Sequence, residues 1–434
     1  MLAHDTVSGA AVEHVVLASP SGTKKDVTWG ELSAPKTPGT YTLSFNVKGE
    51  AIEIPHCNGR GKVTVDDTVR DPGSKGPLVI RLEGAEAHEV KVEIKASSYE
   101  KRIACSGPPR VGAVLRSSDG LVRIELASPV TAKGGGEAVV FVPGGHDPKK
   151  PAALLVGAHP WNGSPWTYAA YSELLEQAGL RDVVLLMPSG LGNSLYVAEA
   201  EDEVMRAIDA VSSELAVDRQ RVSIWGASMG GAGATTISFH HPDRFAFVAS
   251  YFGDSRYDLT TYVKSILGGE AGAKKVNALD VLDNARHLPV WLIHGEDDHT
   301  SPIVQSTMLY DAMKKSGFTV DFDRVPGMAH EGPLVVKFIR RVVDRAAEAV
   351  APEHPTRVSY RSVRPSDTQA YGVSFVRSSG EADAFVDIEK SGEGVKLHRA
   401  ENVKEIVLAK GALGARENAP IDADPSSPPV RWAK

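Results

Sequence analysis

The sequence predicts an α/β protein, in which a doubly wound, mostly parallel sheet follows a β-sandwich domain and precedes a small β-domain. Residues 1–112 alternate polar and apolar side chains with a period of two, which is typical of antiparallel strands. Residues 113–352 alternate strand-like apolar runs with helical segments, the pattern of a parallel sheet covered on both faces. The period of two returns in residues 353–413, and the proline-rich residues 414–434 are predicted to be an extended or disordered tail.

The N-terminal domain has strand patterns at 41–47, 62–65 and 90–94. Its Val65-Asp66-Asp67 turn resembles that of jelly-roll accessory domains of the galactose-binding type, which implies possible carbohydrate contact by this domain. The aromatic residues Trp29, Tyr41 and Tyr99 could stack on sugars. We favour the alternative that they fill the sandwich core, as large aromatic side chains usually do.

The central domain is predicted to open with two strands, Leu121–Leu126 and Ala138–Val142, and its α/β repeat follows them. The predicted strands are Ala153–Gly157, Val183–Met187, Arg221–Trp225, Phe245–Phe252, Val290–His294 and Val320–Val325. The predicted helices are Thr167–Gly179, Glu201–Leu215, Gly230–His241, Pro302–Lys315 and Pro333–Ala349. Helices between successive strands indicate doubly wound topology. The segment 253–284 is either a short cap over the site or a long connection.

The C-terminal β-domain is predicted from the alternation that follows Pro352 and Pro355. Its predicted strands are Arg357–Val363, Tyr371–Val376, Ala384–Ile388 and Val403–Leu408.

Composition and charge narrow the function classes. The chain has 434 residues, 42% of them hydrophobic and 24% charged, as in ordinary globular proteins of about three domains. Its net charge of −7 gives no reason to expect nucleic acid or an anionic membrane as a partner. No apolar run is long enough to span a bilayer, and the first residues lack a signal-peptide pattern. If a leader was removed from this sequence, a secreted or periplasmic location is slightly favoured. Otherwise the sequence fits a cytoplasmic protein.

The two cysteines, Cys57 and Cys105, leave two alternatives open. They are either buried free thiols or a single disulfide within the N-terminal domain, and the second would imply export.

A predicted strand, a tight turn and a predicted helix surround Ser228. The sequence there is Gly226-Ala227-Ser228-Met229-Gly230, which matches Gly-x-Ser-x-Gly. In such a strand-to-helix turn the serine hydroxyl is exposed, and the flanking glycines keep other side chains out of the way. Ser228 is therefore the candidate nucleophile.

A serine needs a base, and two later loops supply candidate partners in the order Ser, Asp, His. Asp298 follows the strand at 290–294, and His330 follows the strand at 320–325. All three residues lie at the carboxyl ends of predicted parallel strands, where active sites of open sheets form. His330 would act as the base and Asp298 would orient it. Glu296 and Asp297 are adjacent carboxylates that could replace Asp298.

An oxyanion hole requires two backbone amides. One should be that of Met229, the residue after the nucleophile. The second should come from the loop 158–163, where Pro160 has no N–H and Trp161 is the next candidate.

His240 and His241 could bind a metal, but they are more simply the end of a helix before Pro242, so no metal and no cofactor is expected.

Residues 150–350 resemble the alpha/beta-hydrolase superfamily, specifically the prolyl-oligopeptidase-like branch that includes many bacterial carboxylesterases. The matching motifs are Pro188 to Tyr196, Val217 to Val222, the turn around Ser228, His241 to Phe245, and His294-Gly295-x-x-Asp298-x-x-x-Pro302. In that family the aspartate of His-Gly-x-x-Asp is the triad acid, which favours Asp298 over its neighbours. Two features depart from the family pattern: Pro160 follows His159 where glycine is usual, and no propeller domain precedes the hydrolase region.

These features predict a serine esterase acting on a small-molecule or glycan-linked ester, with acetyl or feruloyl esters of polysaccharides as the substrate class suggested by analogy. Candidate pocket residues are His159, Trp166, Tyr196 and Asp254. A serine peptidase of the same fold is one alternative. A non-catalytic carbohydrate-binding or scaffold protein is the other.

Overall fold

The computed structural model describes residues 2–3, 5–29, 32, 37–55, 57, 59–71, 78–84, 86–96, 105, 108–116, 120–125, 136–144, 146–147 and 149–433. The chain forms two compact units. The first comprises Met1–Ile124, Val139–Gly144 and Asn162–Ala170, and the second comprises the remaining residues. Tyr99 lies outside the described residues.

The first unit is rich in short strands. In chain order they are β1 Leu2–Ala3, β2 Asp5–Ala11, β3 His14–Ala18, β4 Lys24–Thr28, β5 Gly39–Val47, β6 Ala51–Ile54, β7 Arg60–Val65, β8 Thr68–Asp71, β9 Leu78–Arg81, β10 His88–Ala96, β11 Arg110–Arg116 and β12 Gly120–Glu125. One sheet has the order β4-β3-β5-β10-β7-β8, and another has the order β2-β11-β6-β9. The pairings described within both sheets are antiparallel.

A single hydrophobic cluster draws side chains from both of these sheets. Leu43 and Val90 come from the six-stranded sheet, and Ile52 and Ile80 come from the four-stranded one. Tyr41 is 5% exposed and belongs to this cluster, which confirms its predicted place in the core. The N-terminal region is thus sheet-rich, as predicted, and its assignment to the jelly-roll sandwiches stays a prediction.

Cys57 and Cys105 are joined by a disulfide, which links two segments that are 48 residues apart in the chain. Of the two alternatives that the sequence left open, the structure has the cross-linked one.

The remaining helices and strands up to residue 348 alternate. They are β13 Glu137–Val142, β14 Ala152–Ala158, α1 Trp166–Ala169, α2 Ser172–Leu180, β15 Val183–Pro188, α3 Glu199–Glu214, β16 Val217–Ala227, α4 Met229–His240, β17 Phe247–Tyr251, α5 Thr261–Ile266, α6 Glu270–Lys274, β18 Val290–Gly295, α7 Val304–Lys315, β19 Val320–Val325 and α8 Gly332–Glu348. The helix predicted at 167–179 is instead two helices, α1 and α2, separated at Ala170 and Tyr171.

Six of these strands form a parallel sheet in the order β15-β14-β16-β17-β18-β19, which confirms the predicted mostly parallel sheet. Every residue of β14, β15, β17 and β18 is buried, as expected for strands covered on both faces. Because parallel strands end at the same edge, the loops after β14, β16, β17, β18 and β19 meet there.

Among the described residues, no helix combines the length and apolar character that crossing a membrane requires.

The C-terminal region consists of two further four-stranded sheets. Its strands are β20 Arg357–Ser362, β21 Gln369–Ala370, β22 Val373–Arg377, β23 Ala384–Ser391, β24 Gly394–Glu401, β25 Val403–Leu408, β26 Ile421–Asp422 and β27 Val430–Trp432. The sheet orders are β20-β23-β24-β26 and β21-β22-β25-β27. One cluster of buried side chains includes residues of both sheets, among them Ile388 and Ile406.

The tail at 414–434 takes part in these sheets. The strand β26 pairs parallel with β24, and β27 pairs parallel with β25. The segment was predicted to be an extended or disordered tail, and residues 421–422 and 430–432 are instead paired strands. Proline lacks the N–H but keeps its carbonyl, and Pro420 and Pro429 accept hydrogen bonds from Val395 and Ile406 at 2.9 Å each.

Candidate active site

Ser228 occupies the turn between β16 and α4. Its φ of 57° and ψ of −121° lie in a region that residues with a side chain rarely adopt, at a cost of about 1–3 kcal/mol. The Ser228 amide donates to the carbonyl of Tyr251 at 2.9 Å, which fixes the turn to the end of β17. The strained serine predicted from the sequence pattern is therefore present in the fold.

The glycines around Ser228 allow close backbone packing. A Cβ atom added to Gly230 would lie 1.8 Å from the carbonyl oxygen of Ala158, and one added to Gly226 would lie 2.4 Å from the carbonyl oxygen of Gly230. The first turn of α4 thus lies directly against the end of β14. The motif needs glycine at both positions because no side chain fits there.

His330 lies between Ser228 and Asp298. Its Nδ1 is 2.7 Å from Asp298 Oδ2, and its Nε2 is 2.8 Å from Ser228 Oγ. Because an ionised carboxylate only accepts hydrogen bonds, Nδ1 carries the hydrogen, and Nε2 is free to accept the serine proton. The ring also packs against Phe252, with the ring centroids 4.4 Å apart. The structure therefore brings together the three residues that the sequence singled out.

Asp298 is held by several donors. The amides of Thr300 and Ser301 donate to its Oδ1 at 2.8 and 2.9 Å, and His294 Nε2 lies 3.3 Å from its Oδ2. Burial alone would raise the pKa of Asp298, but hydrogen bonds from His294 and His330 outweigh burial and lower it well below the usual range. Asp298 is consequently ionised at neutral pH and can stabilise a positive charge on His330.

The neighbouring carboxylates differ from Asp298 in burial. Asp298 is 4% exposed, whereas Glu296 and Asp297 are exposed. Among these three, the hydrogen bond to His330 is made by Asp298.

The predicted oxyanion donors lie on the two segments that meet at Gly230. Met229 is the first residue of α4, and the first N–H groups of a helix have no acceptor within the helix. Trp161 follows the end of β14 by three residues, and its side chain is 38% exposed. The roles of the Met229 and Trp161 amides stay predictions.

Two of the predicted pocket residues, His159 and Tyr196, are buried and contact backbone carbonyl groups. Tyr196 has no exposed surface, and its hydroxyl is 3.4 Å from the carbonyl of His159. His159 is 1% exposed, with its ring nitrogens 2.8 Å from the carbonyl of Pro160 and 2.7 Å from that of Ser189. Since side chains without accessible surface cannot line an open pocket, the prediction is wrong for these two residues.

The other two predicted pocket residues occupy different environments. Trp166 begins α1 and is 4% exposed. Asp254 is partly buried, and its Oδ1 accepts a hydrogen bond from the Ser301 hydroxyl at 2.5 Å. Substrate contact by either residue stays a prediction.

Glu203 is a buried acid that the sequence reasoning missed. It has no exposed surface, and its two carboxylate oxygens accept hydrogen bonds from the Ser189 hydroxyl and the Gly190 amide, both at 2.7 Å. Ser189 in turn contacts His159, so Glu203 anchors the loop after β15 behind the loop that carries Trp161. The sequence held a signal for it, because Glu203 lies on the apolar face of α3 beside Ala200 and Val204.

Burial raises the pKa of Glu203 from 4.5 to about 7, although Ser189 and Gly190 donate hydrogen bonds that favour the ionised form. Between these two pH values the folded chain binds more protons than the unfolded chain, so the free energy of unfolding falls as the pH rises through that range. The full loss is about 3 kcal/mol. We expect Glu203→Gln to gain stability relative to the wild type as the pH is raised from about 5 to about 8.

Urea unfolding at a series of pH values measures this difference. Asp202→Asn removes an exposed carboxylate from the same helix and is the control for the loss of one acidic side chain. A stability difference for Glu203→Gln that does not change with pH would refute the buried-acid account.

His240 and His241 lie at the end of α4, which agrees with the predicted helix end before Pro242. Both side chains contact buried groups. His240 Nδ1 lies 2.6 Å from Asp367 Oδ2, and His241 Nε2 lies 2.8 Å from Glu201 Oε1. Arg364 donates from Nη1 to both carboxylate oxygens of Glu201 at 2.8 Å. The C-terminal region thus supplies charged partners to the end of the helix that begins beside Ser228.

Among the described residues, no group of three or more histidine, cysteine, aspartate or glutamate side chains could hold a metal ion.

Comparison with known proteins gives one family match. The model of the prolyl oligopeptidase family matches residues 195–348. Solved structures similar to this chain include the S-formylglutathione hydrolase from Agrobacterium tumefaciens, at 17% identity over 54% of this chain and 96% of that one, with a TM-score of 0.47. A ferulic acid esterase has 16% identity over 52% of this chain and 97% of that one, with a TM-score of 0.46. An esterase from the Planctomycetes species Thermogutta terrifontis has 17% identity over 53% and 92%, with a TM-score of 0.43.

The matched segment contains Ser228, Asp298 and His330, and it follows the order of elements expected of a nucleophile turn, an acid loop and a base loop. The intact arrangement of these three residues argues against the alternative of a non-catalytic binding or scaffold protein. Residues 195–348 are thus similar to the prolyl oligopeptidase family, and this segment contains the Ser–His–Asp arrangement of a serine hydrolase.

Proposed function

We propose that the protein hydrolyses carboxylic esters through an acyl-enzyme on Ser228. The observation that carries this proposal is the position of His330, whose two ring nitrogens lie 2.8 Å from the Ser228 hydroxyl and 2.7 Å from the Asp298 carboxylate. This is the arrangement in which an imidazole can take a serine proton while an adjacent carboxylate stabilises the resulting imidazolium.

In the acylation step, Ser228 Oγ forms a bond to the ester carbonyl carbon as its proton passes to His330 Nε2. The carbonyl oxygen becomes an oxyanion, to which the amides of Met229 and Trp161 donate hydrogen bonds. The bond from the carbonyl carbon to the alcohol oxygen then breaks. The proton on Nε2 passes to that oxygen, and the alcohol leaves.

In the deacylation step, a water molecule takes the place of the alcohol. His330 Nε2 removes a proton from the water as its oxygen attacks the acyl carbon. The bond to Ser228 Oγ breaks, the proton returns to Oγ, and the carboxylic acid leaves. Asp298 keeps the hydrogen bond to Nδ1 throughout and so holds the ring in one orientation.

For the substrate, we propose esters carried by small molecules or polysaccharides, with acetyl and feruloyl groups as the acyl parts. The sheet-rich N-terminal region supports this by analogy with sugar-binding accessory domains, whose Val-Asp-Asp turn is present here between β7 and β8.

A serine peptidase is the second candidate. It is favoured by the name of the family whose model matches residues 195–348, since prolyl oligopeptidases cleave peptide bonds. The same three side chains could perform either reaction, because amide and ester hydrolysis share the acyl-enzyme intermediate.

Turnover of p-nitrophenyl acetate and p-nitrophenyl ferulate, compared with that of dipeptide p-nitroanilides, separates the two candidates. We expect higher kcat/KM for the esters and fluorophosphonate labelling that is lost in Ser228→Ala. Higher kcat/KM for the anilides would assign the peptidase function instead. Ester turnover that persists undiminished in Ser228→Ala would overturn the proposed mechanism.

A further inference from the structure

Asp254 lies on a short segment that contacts the helix after Ser228, the ring of His330 and, through Ser301, the loop of Asp298. The segment follows β17, and a Cβ atom added to Gly253 would lie 2.4 Å from the amide nitrogen of Ala232, so this backbone is packed against the first turns of α4. The preceding residue, Phe252, packs its ring on that of His330. Asp254 is therefore held at a fixed place beside the nucleophile helix and the base.

Ser301 connects Asp254 to the acid of the triad. Its hydroxyl donates to Asp254 Oδ1 at 2.5 Å, and its amide donates to Asp298 Oδ1 at 2.9 Å. Its carbonyl lies 2.7 Å from Nε2 of His294, the residue whose ring also approaches Asp298. Each polar group of Ser301 thus has a partner, and one of these partners is a side chain from another loop.

Gln305, the second residue of α7, also binds the segment that follows Asp254. Its side-chain oxygen accepts hydrogen bonds from the amides of Ser255 and Arg256 at 3.2 and 3.0 Å, and its side-chain nitrogen donates to the carbonyl of Arg256 at 2.9 Å. Gln305 is 1% exposed. Asp254 is consequently a fixed anchor to which Ser301 is tied.

We propose that Asp254 is a positioning residue for the triad, which acts through Ser301 to hold the Asp298 carboxylate at hydrogen-bonding distance from His330. This inference rests on the proposed function of Ser228, Asp298 and His330. Asp254 itself takes no part in proton transfer. Its task is to accept the hydrogen bond from Ser301 and thereby fix the loop that carries the acid.

The task requires an acceptor oxygen and needs no charge. Burial raises the pKa of Asp254, although the Ser301 hydrogen bond and the nearby His330 and His294 favour its ionised form. Oδ1 can accept from Ser301 in either protonation state. An asparagine offers the same oxygen, and its amide would face the hydroxyl of Thr260, which lies 3.5 Å from Asp254 Oδ2 and can accept.

The test compares Asp254→Ala, Ser301→Ala, the double variant Asp254→Ala/Ser301→Ala and Asp254→Asn, assayed on p-nitrophenyl acetate. Loss of the tie should lower kcat by about 10- to 100-fold in each single alanine variant and leave KM within about threefold, because the acid is displaced while the substrate site is kept. The double variant should lose no more than either single one, since both remove the same hydrogen bond. Asp254→Asn should keep kcat within about threefold of the wild type.

Asp258→Asn is the matched control. Asp258 lies on the same segment and pairs with Arg256 at 2.6 Å, without a contact to the acid loop in the part of the chain described here. Its kcat should match that of the wild type. If Asp254→Ala does not fold, Ser301→Ala and Asp254→Asn still decide the matter, because the first should lose activity and the second should keep it.

Additive losses in the double variant, a change confined to KM, or an Asp254→Asn variant as slow as Asp254→Ala would overturn the positioning role. Failure of the proposed function is recognised separately. In that case Ser228→Ala would retain activity, whereas any of these outcomes together with an inactive Ser228→Ala overturns this inference alone.

Discussion

Replacing Ser228 with alanine is expected to lower kcat for ester hydrolysis by about 10⁴-fold or more, because the alanine enzyme has no nucleophile to form the acyl intermediate. His330→Ala should cause a loss of similar size, since no other base lies at 2.8 Å from the Ser228 hydroxyl in the described structure. The double variant should be little slower than either single one, because a triad acts as a unit. Steady-state kinetics on p-nitrophenyl acetate measure all three.

Circular dichroism and thermal unfolding of the same variants serve as the control for folding. A His330→Ala enzyme that retains more than about a tenth of the wild-type kcat would remove His330 from the role of base. Double-variant losses that multiply would show that Ser228 and His330 act independently.

Asp298→Asn is expected to lower kcat by about 10³- to 10⁴-fold, whereas Asp297→Asn should change it by less than about twofold. The side-chain oxygen of the introduced asparagine would remain with the amides of Thr300 and Ser301, which leaves its NH₂ group facing His330 Nδ1. Nδ1 must then accept, so Nε2 carries the hydrogen and cannot take the proton of Ser228. Fluorophosphonate labelling rates and kcat measure the effect.

Asp297 makes the comparison a close one because it is the adjacent residue, has the same side chain and is exposed. Equal losses in the two variants would indicate a general effect of charge near the site. A loss in Asp297→Asn alone would reassign the acid.

Much of the central fold can be read from the sequence, because its signals are local. Strands such as Val290–Gly295 are continuous apolar runs, and a helix such as Gly332–Glu348 has a clear apolar face. The C-terminal strands β24 and β26 were not predicted. Gly394–Glu401 carries many charged residues, and Ile421–Asp422 is two residues long, so neither has an alternation strong enough to recognise.

The site divides in the same way. Ser228, Asp298 and His330 follow from strand ends and motif order, which are properties of the chain itself. The Glu203 to Ser189 and Ser301 to Asp254 contacts join residues that are 14 and 47 positions apart in the chain, and no spacing rule predicts such contacts. His159 and Tyr196 lie in loops that were expected near the site, but a position in a loop does not determine which way a side chain points.

The contacts at the C-terminal end of α4 determine whether the C-terminal region can be removed without loss of stability. The hydroxyl of Tyr360 donates to the carbonyl of His240 at 2.8 Å, and that of Tyr371 donates to the carbonyl of Pro242 at 2.8 Å, beside the Arg364 to Glu201 pair. A chain cut at Pro352 would leave Glu201, which is 4% exposed, without the guanidinium of Arg364. The carbonyls of His240 and Pro242 would lose the hydroxyl donors Tyr360 and Tyr371. The central region therefore depends on contacts from residues 360–371, and we expect a truncation at Pro352 to destabilise it.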